Sequence, residues 1–297
     1  MPITPRLTHG TVCVPHMEAA LHLYRDLLEQ TVINDSQVSS VEALAWHAPN
    51  AAFARSVVLQ PPSGKPVYLR LIERPTPKAI YKPGTHLGWA ALELTVKNAD
   101  TLHQRLVDAN IPIIGAPKAL AFTDKLYPMQ ALGPGGEALY LNEVRGDLPS
   151  SDLPLANCWV DELFITIVGA RNREKTVDFY NQLLGTKNGG IWEIEYGVIN
   201  RAFDFPTTTK HALSTCNDGR IVLFEVDHFP EVATQKPCDE GDLCAGVCVV
   251  GLAVDSFPAT ANWLTPPAIR SEAPYFGAMV GVLRGLDGEL VELVLRK

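Results

Sequence analysis

Residues 9–28 read HGTVCVPHMEAALHLYRDLL, an apolar strand followed by an amphipathic helix. In the helical part, apolar side chains recur at three- and four-residue spacing from Met17 to Leu28. One face of the helix is therefore expected to pack on a sheet.

The same pattern occurs three more times along the chain. Residues 89–109 read WAALELTVKNADTLHQRLVDA, and residues 162–185 read ELFITIVGARNREKTVDFYNQLLG. A fourth strand, VCVVGLAVD, covers residues 247–255, and its helix is predicted around residues 258–264. Repetition of one supersecondary unit indicates a chain built from four modules.

Apolar segments separated by Gly and Pro turns follow each copy, which predicts further strands in every module. The predicted strands cover residues 41–47, 55–59 and 67–72 in the first module, 113–122, 128–132 and 138–144 in the second, 190–198, 211–215 and 221–226 in the third, and 278–283 and 290–295 in the fourth. The pattern predicts an α+β chain of four βαβββ modules.

A linker is expected between the second and third modules. Residues 146–154 read GDLPSSDLP, a composition typical of connecting segments. A chain of 297 residues is long enough for two cores. The sequence thus predicts two domains, residues 1–148 and residues 149–297, each containing two modules.

Charge and composition exclude several functions. The net charge is -8, with no basic stripe, so neither a nucleic acid nor a membrane surface is an expected partner. The N-terminal residues have no apolar leader, and a cytoplasmic protein is the simplest expectation. The six cysteines form no paired Cys-x-x-Cys motif and are expected to be reduced thiols.

The stretch at residues 9–28 and the segment LDGELVEL at residues 286–293 resemble the vicinal oxygen chelate superfamily. This superfamily includes glyoxalase I, the fosfomycin and bleomycin resistance proteins and the type I extradiol dioxygenases. The resemblance extends over nearly the whole chain because the modules recur in order. It implies two cup-shaped mixed sheets made of paired modules, with helices outside, and a layout similar to that of the extradiol dioxygenases, whose C-terminal cup holds iron.

The resemblance also identifies the positions at which the family carries its metal ligands. The family's histidine position falls at His9, Ala91, Leu163 and Val249. Its glutamate position falls at Arg70, Tyr140, Glu225 and Glu292. Most of these residues are not metal ligands, so the family's usual iron site is not expected.

Strand alternation supports these assigned positions independently of the family. In the last predicted strand, Val291 and Leu293 point to one face, and Glu292 points to the other. The same alternation separates Arg70, Tyr140 and Glu225 from their apolar neighbours. All four residues are therefore predicted to face the interior of a cup.

The C-terminal cup is predicted to contain a catalytic group of Glu225, Glu292 and His211. Carboxylates in an apolar hollow must be paired, protonated or bound to a cation. His211 lies opposite Glu225 if the hairpin loop is Asn217-Asp218-Gly219, whereas a two-residue loop places Val226 there. The three side chains could bind a divalent metal such as Fe, Mn or Zn, or act without a metal as acid and base.

Substrate contacts are predicted in both cups. Leu163 and Val249 would line the C-terminal cup, with Tyr275 at its rim. In the N-terminal cup, His9, Arg70 and Tyr140 together suit an anionic or phenolic ligand.

The leading hypothesis is an enzyme of the vicinal oxygen chelate type, a dioxygenase, lyase or isomerase, acting on a small aromatic or carbonyl compound. The first alternative is a metal-free protein that sequesters a small molecule, as drug-resistance members of the superfamily do. The second is a paralogue whose cups are filled by side chains. A homodimer is also plausible, because exposed sheet edges favour pairing.

Overall fold

In a computed structural model, which describes residues 6–76 and 81–296, the chain forms 17 strands and five α-helices. The strands make two curved mixed sheets, and the predicted α+β fold of four modules is confirmed. Residues 1–5, on which the expectation of a missing leader rests, lie outside the described residues. None of the helices described has the length and apolar character that crossing a membrane requires.

The helices and strands follow one another module by module. The first module contains β1 (Arg6–Val14), α1 (Met17–Leu21), β2 (Thr31–Gln37), α2 (Ser40–Ala45), β3 (Arg55–Gln60) and β4 (Tyr68–Glu73). The second contains β5 (His86–Val96), α3 (Ala99–Asp108), β6 (Ile113–Gly115), β7 (Leu126–Leu132) and β8 (Ala138–Val144). The third contains β9 (Val160–Ala170), α4 (Arg173–Leu184), β10 (Lys187–Glu195), α5 (Gly197–Ala202), β11 (Lys210–Asp218) and β12 (Ile221–His228). The fourth contains β14 (Gly246–Val254), β15 (Trp263–Arg270), β16 (Ala278–Arg284) and β17 (Leu290–Leu295), preceded by the short β13 (Thr234–Gln235).

Two short segments add to these elements. The π-helix His22–Leu27 continues α1, and the 3-10 turn Pro49–Ala51 follows α2.

The modules pair differently from the sequence prediction. One sheet has the strand order β15-β16-β17-β14-β1-β4-β3-β2, so the first and fourth modules form what we call the terminal cup. The other has the order β10-β11-β12-β9-β5-β8-β7-β6, so the second and third modules form the central cup. Each half of the chain, divided at residue 148, supplies one module to each sheet. The prediction of one complete cup in each half is therefore wrong.

The segment 41–47, predicted as a strand, is mostly the helix α2. Ser39 caps this helix: its side chain accepts a hydrogen bond from Glu42 N, and the Glu42 carboxylate accepts one from Ser39 N. Such a capping box fixes a helix start. Val41 and Leu44 point outward, whereas Glu42 is buried. The apolar content of this segment therefore predicted neither its secondary structure nor its buried face.

The helix predicted at residues 258–264 is also wrong. Residues 255–262, all of which are described, form turns and irregular backbone, and the strand β15 begins at Trp263. β15 contains Pro266 and Pro267, which argue against a strand in a sheet interior. They are tolerated because β15 lies at the edge of its sheet.

Two tyrosine–glutamate pairs connect one sheet to the other. Tyr24 donates to Glu137 Oε1 at 2.7 Å, and Tyr180 donates to Glu289 Oε1 at 2.6 Å. Each glutamate follows a glycine turn of the adjacent module, and burial raises the pKa of each to about 7. The two cups are thus joined by equivalent buried contacts.

Candidate functional site

The terminal cup contains Glu292 at the centre of a buried hydrogen-bond network. Glu292 accepts hydrogen bonds from His9 Nε2 at 2.9 Å, Trp46 Nε1 at 2.8 Å and Tyr275 OH at 2.9 Å. Although burial opposes ionisation, these donors hold the pKa of Glu292 below its ordinary value. Glu292 is therefore a fully satisfied carboxylate.

Arg70 completes this network from β4, which pairs with the strand that carries His9. Its guanidinium donates to Glu42 Oε1 at 2.7 Å, to Ser56 Oγ at 2.9 Å and to Tyr275 OH at 3.2 Å. Arg70 and Glu42 are each 1% exposed. The buried positive charge is thus paired, as a charge in a protein interior must be.

The helix α2 and the residues after it also place side chains in the terminal cup. Glu42 and Trp46 both point inward, and Trp46 lies 5.2 Å from the Arg70 guanidinium carbon, measured to the ring centroid. Val249 belongs to the same buried apolar cluster as Trp46 and Leu290. This cup is occupied by its own side chains.

The central cup presents carboxyl groups with a different environment. Glu93 on β5, together with Glu225 and Asp227 on β12, lies in this cup beside Tyr140 and Tyr196. The Tyr196 hydroxyl lies 2.9 Å from that of Tyr140 and donates to Glu225 Oε1 at 3.1 Å. Asp227 Oδ1 is buried without a hydrogen-bond partner.

All three carboxyl groups have a raised pKa. Burial raises the pKa of Glu93 to about 8, although Asn142 donates to Glu93 Oε1 at 2.7 Å. Burial likewise raises the pKa of Asp227 to about 7, and burial with the adjacent Asp227 raises that of Glu225. Among the described residues, none of the groups that shift these pKa values is a cation. The group therefore retains protons near neutral pH.

A small cavity, partly open to solvent, adjoins these groups. It has a volume of about 20 Å³ and is lined by Gly84, Ala90, Ala91, Ala138, Tyr140, Ile167, Val198, Ile199, Asp227 and Phe229. Asp227 and Tyr140 are the polar side chains of this lining, so the unpaired carboxyl oxygen belongs to a residue that borders an apolar hollow.

The predicted site of Glu225, Glu292 and His211 is not assembled. Glu225 belongs to the central sheet and Glu292 to the terminal sheet. His211 Nε2 lies 2.7 Å from Asn200 Oδ1 of α5, and its ring stacks on Phe205. His211 therefore contacts the helix that covers the central cup.

The hairpin explains the position of His211. Asp218 pairs with Ile221, so the turn is formed by Gly219 and Arg220, and neither predicted loop occurs. A register shift between Cys216 and Asn217 then places Thr215 opposite Glu225.

The remaining predicted contacts divide between the cups and the core. His9, Arg70, Tyr275 and Val249 lie in the terminal cup, and Tyr140 lies in the central cup, so His9, Arg70 and Tyr140 do not share a site. Leu163 belongs to the main core cluster beside Gly10. The register of β9 shifts next to it.

Asp227 is absent from the sequence-predicted set, although a signal for it was present. Glu225 faces the central cup from β12, and side chains two residues apart share a face of a strand. Extending the alternation by one step beyond Glu225 places Asp227 in the cup.

The side chains present do not fit the metal site of the resembled family. In the terminal cup, the Arg70 guanidinium occupies one glutamate position and is hydrogen-bonded among the other side chains. In the central cup, Ala91 lies at one of the family's histidine positions and Tyr140 at one of its glutamate positions, and neither side chain is a ligand of that metal. Within residues 6–76 and 81–296, no group of three or more His, Cys, Asp or Glu side chains is arranged to hold a metal ion.

The architecture is the vicinal oxygen chelate fold, which solved structures share over nearly the whole chain. Glyoxalase I from Zea mays superposes with a TM-score of 0.64 at 12% identity, covering 99% of this chain and 93% of that one. A Bacillus subtilis protein provisionally described as a dioxygenase superposes with a TM-score of 0.62 at 12% identity, covering 99% and 86%. No model of a known protein family and no curated protein matches the sequence. At this identity the likeness establishes the fold.

Proposed function

We propose that the chain is an enzyme that acts on a small aromatic or carbonyl compound in the central cup by proton transfer. Asp227 carries this proposal. Its carboxyl is buried, borders the cavity and has an oxygen without a partner, and its pKa is about 7. A proton acceptor is most effective when its pKa lies near the working pH. Buried groups with perturbed pKa values in a cleft are typical of active sites.

The neighbouring residues suit a second role, that of hydrogen-bond donor. Burial raises the pKa of Tyr140, so its hydroxyl remains protonated, and Tyr140 lines the cavity. Tyr196 connects Tyr140 to Glu225 through two hydrogen bonds. Tyr140 donates to Tyr196 in this structure, so binding of a substrate carbonyl would require the Tyr140 hydroxyl to turn its proton toward the cavity, with the acidic carbon of the substrate toward Asp227. This arrangement favours isomerase or lyase chemistry.

The charge of the cup indicates the kind of substrate. Glu93, Glu225 and Asp227 supply no positive charge that could pair with an anion, whereas the apolar lining favours a neutral ring or carbonyl compound. The cavity, at about 20 Å³, has room for little more than one water molecule, so even a compact substrate requires the lining side chains to move apart.

The proposed chemistry does not use Fe, Mn or Zn, because the donors of both cups do not fit the family's metal. Activity is therefore expected to persist after treatment with a chelator. A chelator-sensitive activity restored by one of these metals would contradict this part of the proposal.

The second candidate function is metal-free sequestration of a small molecule. The observation that favours it is the mainly apolar lining of the cavity, in which Asp227 and Tyr140 are the polar side chains. It predicts binding without turnover.

The test uses Asp227→Asn with Asp204→Asn as the matched control, because the Asp204 side chain is 89% exposed. Neutral ketones and phenols are screened for binding by thermal shift, and bound ketones are followed by NMR for hydrogen–deuterium exchange at the carbon next to the carbonyl. Loss of a general base typically slows such a step by roughly 100-fold or more. We expect this loss in Asp227→Asn alone, with binding retained.

Equal exchange rates in Asp227→Asn and Asp204→Asn would refute the catalytic role. Binding to the wild type without exchange of any bound ketone would instead support sequestration.

A further inference from the structure

Arg270, on the edge strand β15 of the terminal cup, is a buried residue with an unused hydrogen-bond donor. It is 2% exposed, and its Nη1 atom is buried without a hydrogen-bond partner among the described residues. Arg70, in the same cup, forms an ion pair with Glu42 at 2.7 Å. A buried cation is costly unless it is paired, so the unengaged donor of Arg270 indicates a place for an anion.

The strand register places Arg270 on the inner face of the terminal sheet. Arg270 pairs with Ala278 of β16. Val280, two residues further along β16, pairs with Val294 of β17. Val294 is two residues after Glu292, so the two side chains lie on one face of the strand. Because directly paired residues also share a face, Arg270 points to the same side of the sheet as Glu292.

A second arginine, Arg296, lies at the same end of this face. Arg296 N donates to Val254 O at 2.9 Å, so the backbone continues the line of β17 by one residue. Extending the register of β16 and β17 by two residues places Arg296 beside Ala278, the residue that pairs with Arg270. The two arginines are thus two strand spacings apart, about 10 Å between Cα atoms, and the methyl group of Ala278 lies between them.

The Arg296 guanidinium has one terminal nitrogen engaged and one unengaged. Nη1 donates to Asp255 Oδ1 at 3.0 Å, whereas Nη2 is buried without a hydrogen-bond partner among the described residues. Arg6 shares this face, because it pairs with Ala253, which in turn pairs with Val294. Arg6, Arg270 and Arg296 together with Asp255 carry a net positive charge.

The surface beside these arginines is apolar, with aromatic rings at its rim. One buried cluster lies there, formed by Tyr275, Ala278, Val280 and Val294. Tyr68 lies on the inner face because it is two residues before Arg70 on β4. Its ring packs on that of Phe276, with 5.6 Å between the ring centroids. Apolar and aromatic surroundings favour an organic anion over an inorganic one.

We propose that the end of the terminal cup between Arg270 and Arg296 binds a small organic carboxylate with an apolar body. Arg270 Nη1 and Arg296 Nη2 each donate to one carboxylate oxygen, and the hydrocarbon part lies on the apolar cluster. Hydrogen bonds from guanidinium groups to a carboxylate are stronger than those between neutral groups. The site lies in the other cup from Asp227, so it does not depend on the proposed function.

Isothermal titration calorimetry of the full chain with benzoate, acetate and inorganic phosphate tests this site. Benzoate should bind with a Kd below about 1 mM, and acetate, which lacks the ring, should bind more weakly. Arg270→Met should raise the Kd for benzoate roughly tenfold or more, as expected when a hydrogen bond to a charged group is lost. Arg296→Met should raise it by a smaller factor, because the Arg296 side chain is 31% exposed. Arg25→Met, at a side chain 46% exposed, is the matched control and should retain the wild-type Kd.

Urea denaturation without ligand is the second measurement. In carboxylate-free buffer, Arg270→Met should have a midpoint at least as high as that of the wild type, because it removes a buried charge that has no partner. Benzoate should raise the midpoint of the wild type and leave that of Arg270→Met unchanged. A lower midpoint for Arg270→Met in carboxylate-free buffer, an unchanged Kd for benzoate in this variant, or phosphate binding tighter than benzoate would each overturn the proposal.

Discussion

The two cups have the same fold but differ in how their buried ionisable side chains are paired. In the terminal cup, Glu292 and Arg70 are each held by three side-chain hydrogen bonds, and cation and carboxylate are paired. In the central cup, the groups around Asp227 are further acids and tyrosines, and one of its oxygens has no partner. A fully paired network stabilises a cup, whereas a carboxyl with one unbonded oxygen beside a cavity is available for chemistry.

The difference originates in equivalent helices between the second and third strands of a module. α2 contributes Glu42, which pairs with Arg70, and leads to Trp46, which donates to Glu292. α5 contributes Val198 and Ile199, which line the central cavity. The same insertion therefore supplies polar partners in one cup and an apolar wall in the other.

The largest effect is expected from Arg70→Met in the terminal cup. Removing one partner of a buried ion pair leaves an uncompensated charge and typically costs about 3–5 kcal/mol of unfolding free energy. Urea denaturation measures the change. Adding Glu42→Gln should restore part of the loss, because it removes the charge left unpaired. A loss below about 1 kcal/mol for Arg70→Met would show that the pair does not stabilise the cup.

The stability of the central cup should decrease as the pH rises. The pKa of Glu93 is about 8 and that of Asp227 about 7 in the folded chain, above their unfolded values. Their stabilising contribution is complete below the unfolded pKa values and is lost as the pH rises through the folded ones. Stability should therefore fall between about pH 5 and pH 8 in this cup, by up to roughly 1.4 kcal/mol per pH unit for each group.

Glu93→Gln isolates this effect because the amide oxygen can still accept from Asn142. The difference in unfolding free energy between variant and wild type should grow in favour of the variant from about pH 6 to pH 8. Glu18→Gln, at a side chain 73% exposed, is the matched control. A pH-independent difference would mean that Glu93 does not titrate in this range.

The smallest effect is expected for Tyr196→Phe. The change removes the hydroxyl that forms two hydrogen bonds, with Tyr140 and with Glu225, and each such bond contributes about 0.5–1.5 kcal/mol. Equilibrium denaturation at about pH 6 measures it, and Tyr127→Phe, whose hydroxyl bonds to exposed Asp100, is the control. A loss above about 3 kcal/mol would indicate that Tyr196 holds the cup closed as well as the network together.

Strand alternation predicted the interior residues well, but not their partners. Arg70 and Glu292 form the terminal network, and Tyr140 lies with Glu225 in the central cup, all on the faces that alternation selects. The pairing of modules is set by contacts between β1 and β14 and between β5 and β9, and all four strands are rich in apolar residues. Nothing local in a module encodes that choice, so Glu225 and Glu292 were assigned to one cup.

The helix α2 was equally hard to predict from the sequence. Residues 41–47 have the apolar content of a strand, and the inward position of Glu42 depends on a cationic partner, Arg70, in a distant strand. Similarly, His211 contacts Asn200 because the hairpin contains a register shift, and no residue of the turn predicts that shift.

The pairing of β1 with β14 has a consequence for synthesis of the chain. β1 to β4 leave the ribosome first. The antiparallel neighbour of β1 is β14, which is translated only after all the strands of the central sheet, β5 to β12. The central sheet can close on the nascent chain while β1 still presents an open edge. A premature stop before residue 246 would leave all the strands of the central sheet present but would remove β14. The edge of β1 would then stay unpaired and prone to aggregation.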